Sequence, residues 1–208
     1  MSERILVAFS GPQGSGKTTL ATEAHSVLSE AGLEVHRFGI KATFQPLVSA
    51  VQHALPTVAT GETLARLWTQ KAQKNLQLAL STWAEAQDPD IWSLAYERGV
   101  LDNPGAVVTD DIRTPANLQA LIRLANDKVN VVLILLMAPA DIRKSRVSVW
   151  RENGLANTED GLGPIPPGTW LKVHFLSTHF SGLSEEDSLK RSKEDLRGIL
   201  NRTLSLGL

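Results

Sequence analysis

The chain has 208 residues, enough for one domain with a sizeable core, and no cysteine, which excludes disulfides, thiolate metal sites and cysteine nucleophiles. Apolar residues make up 42% and charged residues 21%, and the formal net charge is -1, so no broad basic surface recommends a nucleic-acid polymer as partner. An apolar run begins almost at the amino end, so no signal peptide is expected, and the longest such run, Val131 to Ala138, is too short to cross a bilayer. The expectation is a single α/β domain over residues 1–208, cytoplasmic and with no membrane partner.

Ile5 to Phe9 reads as a buried strand and Thr19 to Ala31 as a helix, with Leu20, Ala24, Val27, Leu28 and Ala31 at helical spacing. Between them lies Gly11-Pro12-Gln13-Gly14-Ser15-Gly16-Lys17-Thr18, which fits the phosphate-binding pattern G-x-x-x-x-G-K-[ST] in the required order of strand, loop and helix start. Gly11, Gly14 and Gly16 allow main-chain N–H groups to approach phosphate oxygens, Ser15 sits among them, and the helix start at Thr19 adds its dipole. Lys17 suits the β- and γ-phosphates, and the Thr18 hydroxyl suits Mg2+. ATP and Mg2+ are therefore the expected cofactors.

Leu33 to Phe38 reads as a second strand after the turn at Gly32. Lys41 follows its end, either as a phosphate contact or as a solvated loop lysine. A helix is expected over Phe44 to Leu55, stopped by Pro56. A longer one is expected over Glu62 to Gln87, with Leu64, Trp68, Ala72, Leu76, Leu80 and Trp83 forming one apolar stripe. Arg66, Gln70, Gln73 and Gln77 run beside it, a wet face or one side of a cleft. Arg66 is its member suited to phosphate. Ile91 to Arg98 reads as a short helix whose Trp92 and Tyr96 share a face, as core packing would require.

Ala106 to Thr109 reads as an apolar strand ending in Asp110-Asp111. Acidic residues at a buried strand's end resemble the carboxylate that orients Mg2+ in P-loop enzymes. Arg113 follows two residues later, and Thr114-Pro115 can open a helix, so a functional and a capping role are both available here. A helix is expected over Leu118 to Asn126. Val131 to Met137 reads as a central parallel strand covered on both faces. Asp141 to Trp150 reads as a basic helix carrying Arg143 and Arg146, with Arg151 at its end. It leads into a Gly- and Pro-rich stretch from Glu152 to Thr169, as a closing lid needs. The alternative is a face of ordinary solvated arginines. Leu171 to Leu176 is a candidate last strand, and Ser184 opens a final helix with Asp187 at the third position of a capping box. His174 and His179 are isolated.

The chain resembles the deoxynucleoside monophosphate kinases of tailed bacteriophages, a branch of the P-loop nucleoside monophosphate kinases. The resemblance lies in Gly11 to Thr18, in Phe38-Gly39-Ile40-Lys41, in Asp90-Ile91-Trp92 and in Val107 to Arg113, and it spans roughly residues 1–150. Arg66 also falls where the family carries an arginine. The chain departs from the family at Thr114 to Asn117, where F-P-N-E is common. The resemblance implies a P-loop kinase fold, a mostly parallel sheet flanked by helices, with a helical monophosphate-binding region over 39–100 and a lid over 143–169. It implies transfer of the γ-phosphoryl of ATP to a dNMP, in the host cytoplasm if phage-encoded; a homodimer is compatible with it. Lys17 and the loop from Gly11 to Thr19 would hold ATP, and Thr18 and Asp110 would serve Mg2+. Lys41, Arg66, Trp92, Asp111 and Arg113 would take the acceptor, and Arg143, Arg146 and Arg151 would offset charge. Two other classes fit the motif alone. One is a P-loop kinase of a metabolite hydroxyl, with Asp111 accepting the proton. The other is a nucleotide-binding regulatory module.

Overall fold

The computed structural model describes residues 4–39, 49–50, 53–54, 70–147, 162 and 164–205, without the side chains at 70–74, 77, 78, 81 and 92. Five strands form one parallel sheet: β1 (Ile5–Ser10), β2 (Val35–Arg37), β3 (Ala106–Ile112), β4 (Asn130–Met137) and β5 (Lys172–Ser177), in the order β2-β3-β1-β4-β5. Among the described residues the long helices are α1 (Lys17–Glu30), α2 (Gln70–Gln87), α3 (Ile91–Leu101), α4 (Pro115–Asn126) and α6 (Glu185–Ser205), with a short α5 (Ala140–Ser145).

The near-continuous apolar runs of β1 and β4 are what a strand covered on both faces requires. Their side chains alternate between two cores. Ile5, Val7, Phe9, Val132, Ile134 and Leu136 pack with Leu20, Ala24 and Leu28 of α1 and Leu196, Ile199 and Leu200 of α6. Leu6, Ala8, Val131 and Leu133 pack with Tyr96 and Val100 of α3 and Leu118, Leu121 and Leu124 of α4. Every strand in such a sheet points the same way, so β1, β3 and β4 end together at one edge. That edge is where ligands bind in open α/β sheets.

Several expectations shift in detail. Strand β3 runs on through both aspartates to Ile112, beyond its expected end at Thr109. Helix α4 begins at Pro115 because Thr114 caps it: Asn117 N–H donates to Thr114 Oγ1 at 3.3 Å, and Asn117 Oδ1 accepts from Thr114 N–H at 3.2 Å. The basic helix ends at Ser145, short of Trp150, with Arg146 as its C-cap and the Arg146 side chain bonded to Thr178. Trp83 is 64% exposed, although its spacing places it on the apolar stripe of α2; Leu76, Leu80 and Ala84 carry that packing. At Ser184 the hydroxyl both accepts from Asp187 N–H at 3.0 Å and donates to Asp187 Oδ2 at 2.6 Å, so the aspartate bonds the cap side chain. Most of the expected helix over 44–55 lies outside the described residues, although 49–50 and 53–54 within it are helical; Lys41, Arg66 and Arg151 also lie outside them, as does most of 143–169 beyond Val147.

Candidate active site

The loop from Gly11 to Gly16 joins the end of β1 to the start of α1. Its glycines are required by geometry. Gly11, Gly14 and Gly16 have φ of +146°, +77° and +87°, a region that L side chains rarely adopt. A Cβ on Gly14 would also land on the main-chain carbonyl of Arg143, and one on Gly11 would lie 2.7 Å from the carbonyl oxygen of Leu136. The loop is thus pressed against the end of β4 and the last residues of α5.

Lys17 arches back over the loop and donates to the carbonyl oxygens of Gly11 at 2.6 Å and Pro12 at 2.9 Å. Its pKa is lowered to about 8, by burial first and then by the Arg113 and Arg143 charges, with Asp110 and Asp111 opposing them. A half-desolvated ammonium facing two arginines holds a surplus of positive charge that anionic phosphate would relieve. A pocket of about 260 Å³ opens here, lined by Gln13, Gly14, Gly16, Lys17, Thr18, Thr19 and Arg113.

The carboxylates arrive by an irregularity in the sheet. Ala8 pairs with Thr109, but Ser10 pairs with Ile112, so β3 carries one extra residue between these points. Such a bulge re-aims the side chains next to it. Ser10 Oγ donates to the Ile112 carbonyl at 2.8 Å and pins the far side of the bulge. Asp110 turns toward α1, where its Oδ2 accepts from the Thr18 hydroxyl at 2.7 Å. Asp111 turns the other way and pairs with Arg113, Oδ1 to Nε at 2.6 Å. The main chain beyond is fixed from two sides. Asn117 Oδ1 accepts from Arg113 N–H at 3.1 Å, and Tyr96 donates its phenol O–H to the Asp111 carbonyl at 2.7 Å. Burial, reinforced by the Asp111 charge, pushes the Tyr96 phenol far above its ordinary pKa, so it stays a donor. The ring of Phe38 meets that of Tyr96 edge to face, centroids 5.4 Å apart.

The two described arginines of the basic helix lie against the loop. Arg143 is 4% exposed, and its Nε donates to the Ala138 carbonyl at 3.0 Å. Arg146 uses its whole guanidinium: Nε pairs with Glu185 at 2.7 Å, Nη1 donates to Thr178 Oγ1 at 3.2 Å and toward the Gly14 carbonyl at 3.5 Å, and Nη2 donates to the Thr178 carbonyl at 2.8 Å. It thereby joins the loop to the end of β5 and the first turn of α6.

Oxygen donors suit Mg2+, which typically takes one or two protein oxygens and fills the rest of its shell with water and phosphate. The Thr18 hydroxyl and the Asp110 carboxylate, in contact beside the pocket, fit that requirement. Among the described residues no cluster of three or more His, Cys, Asp or Glu could hold a metal alone, and no helix is long and apolar enough to cross a membrane.

The structure therefore gathers Gly11, Gly14, Ser15, Gly16, Lys17, Thr18, Thr19, Asp110, Asp111, Arg113, Arg143 and Arg146 at one edge of the sheet. The side chain of Trp92 lies outside the description, as do Lys41, Arg66 and Arg151. Sequence reasoning missed Arg37, whose Nη2 lies 3.4 Å from Asp110 Oδ2, and Thr22, which accepts from Arg37 Nη1 at 3.0 Å. The one available signal was the pairing of Thr18 with Thr22 a helical turn apart.

No protein-family model matches the chain, and no curated protein matches it. Similar solved structures include a gluconokinase from Sinorhizobium meliloti, at 12% identity over 97% of this chain and 96% of that one, with a TM-score of 0.47. A deoxyadenosine kinase from M. mycoides, with dCMP and dCDP bound, is similar at 14% identity over 95% and 100% of the two chains, with a TM-score of 0.43. The APS kinase of Mycobacterium tuberculosis, in complex with AMPPNP and APS, is similar at 16% identity over 93% and 97%, with a TM-score of 0.43. At such scores the likeness says nothing about substrate, and the chemistry is read from the residues themselves.

Proposed function

We propose that the protein transfers the γ-phosphoryl of ATP to a nucleoside or deoxynucleoside monophosphate, giving the diphosphate. The observation that carries this reading is that Lys17 and Arg113 line one pocket at the mouth of the glycine loop. One cation suits the donor's phosphates, and the other, held on Asp111, suits an incoming anion. The likeness to the phage deoxynucleoside monophosphate kinases supplies the acceptor class.

Main-chain N–H groups of the loop and Lys17 hold the triphosphate. Arg113, with Lys41 and Arg66, grips the acceptor phosphate, and Asp111 keeps Arg113 in place; Trp92 belongs to the same acceptor side. Thr18 and Asp110 would hold Mg2+, which would supply positive charge to offset that of the phosphates. Arg143 and Arg146 supply positive charge behind the loop, and Arg151 belongs with them. An acceptor phosphate is already anionic, so no strong general base is required. Alignment and electrostatic stabilisation carry the rate.

The test is ADP formation from ATP and Mg2+ against a panel of dNMPs, NMPs and hydroxyl-bearing metabolites. Turnover with monophosphates alone supports the reading. Turnover only with hydroxyl acceptors would replace it with a metabolite kinase, and turnover indifferent to any acceptor would replace it with a regulatory ATPase.

A further inference from the structure

Four side chains close a ring beside the carboxylate assigned to the metal side. Thr18 Oγ1 donates to Asp110 Oδ2 at 2.7 Å, and Arg37 Nη2 stands 3.4 Å from that same oxygen. Arg37 Nη1 donates to Thr22 Oγ1 at 3.0 Å, and the Thr22 hydroxyl donates to the Thr18 main-chain carbonyl at 2.9 Å. The ring is built from one turn of α1 and the ends of β2 and β3. Thr18 and Thr22 share a helix face, and β2 lies beside β3 through the pairing of Arg37 with Val108.

Arg37 can affect Asp110 by orienting it or by neutralising it. Orientation is duplicated, because the shorter Thr18 bond holds the same oxygen without Arg37. Neutralisation is shared with Lys17, which feels the Asp110 charge from outside the ring, but at contact distance it falls to Arg37. Within this ring Arg37 is the one cation, and a unit charge a few ångströms from a carboxylate changes the pull on a second cation by about tenfold in half-screened surroundings.

We propose that Arg37 stands in for the metal's charge at Asp110 while nucleotide is absent. The protein alone then holds a divalent cation weakly and takes it together with the nucleotide, whose phosphates supply the missing negative charge. This rests on the assignment of Asp110 to the metal side in the reading above.

The probe is Mn2+ with nucleotide-free protein at low ionic strength, the free ion being counted by its electron paramagnetic resonance signal. Arg37→Gln keeps a donor for Thr22 but no charge, Arg37→Met removes both, and Arg37→Lys keeps the charge; circular dichroism melts check each fold. Arg37→Gln and Arg37→Met are expected to bind Mn2+ about tenfold more tightly than the wild type, and Arg37→Lys within about twofold of it. Adding Asp110→Asn to Arg37→Gln is expected to erase the gain. Unchanged or weaker Mn2+ binding by both neutral variants overturns the inference and leaves phosphoryl transfer standing, since acceptor-dependent ADP release judges that separately. A gain that survives Asp110→Asn overturns both the inference and the metal-side assignment.

Discussion

The seating of the glycine loop against α5 can be tested by Gly14→Ala, with Gly32→Ala as its control. The two positions share a left-handed backbone, φ +77° and +82°, so each alanine carries about 1–2 kcal/mol of local strain. They differ in their surroundings. A Cβ on Gly32, just past the end of α1, meets nothing within 4 Å, whereas one on Gly14 meets the main-chain carbonyl of Arg143. That neighbour is backbone and cannot rotate away, so loop and helix must separate, at a further cost of about 1–3 kcal/mol. Urea unfolding of the two variants, compared at equal m-values, should show Gly14→Ala the less stable by that further amount. If the displaced amides hold phosphate as proposed, ATP affinity should fall at least about tenfold in Gly14→Ala and should hold in Gly32→Ala. Equal destabilisation of the two variants would refute the close seating of Gly14 on Arg143.

Lys17→Ala should abolish phosphoryl transfer with the fold intact by circular dichroism; unchanged turnover would remove Lys17 from the site. Lys17 has a pKa lowered to about 8 from its ordinary 10.5, and phosphates bound beside it should raise it again. At pH 8.5 ATP binding should therefore take up about three-quarters of a proton, read by calorimetry in buffers of different ionisation heat and lost in Lys17→Met. Proton release, or uptake that persists in Lys17→Met, would contradict the lowered pKa. Arg113→Ala should raise the KM for the monophosphate far more than that for ATP, on the order of a hundredfold against a few-fold, as expected where a charge-assisted contact is lost. Equal effects in steady-state kinetics would move Arg113 away from the acceptor.

What the sequence makes legible is local or periodic. The loop is readable because glycine, lysine and threonine occur at fixed spacing within eight residues. The strands of β1 and β4 are readable because burial on both faces forces unbroken apolar runs. The bulge in β3 is different: it exists only in the pairing of Ser10 with Ile112, and it shifts the register of the strand end that carries Asp110 and Asp111. Arg37 was hidden for a similar reason, since its partners come from β3 and α1, 73 and 15 residues away, from 110 − 37 and 37 − 22. Trp83 shows the limit of helical periodicity, which assigns a residue to a stripe but does not say how far along the helix the neighbours extend. Arg143 and Arg146 have the spacing of a wet basic face, yet Arg143 is buried on the nearby Ala138 carbonyl and Arg146 is held to Gly14 of the loop and to Thr178.

The central claim is that the cradle at Lys17 and the arginine at 113 present two phosphorylated molecules to each other. Incubation with ATP labelled in its γ-phosphoryl, Mg2+ and each dNMP, followed by separation of the nucleotides, tests it most directly. The account predicts label in the corresponding diphosphate, with none released as phosphate beyond the acceptor-free background. Label appearing only as free phosphate, at a rate no dNMP changes, would contradict it.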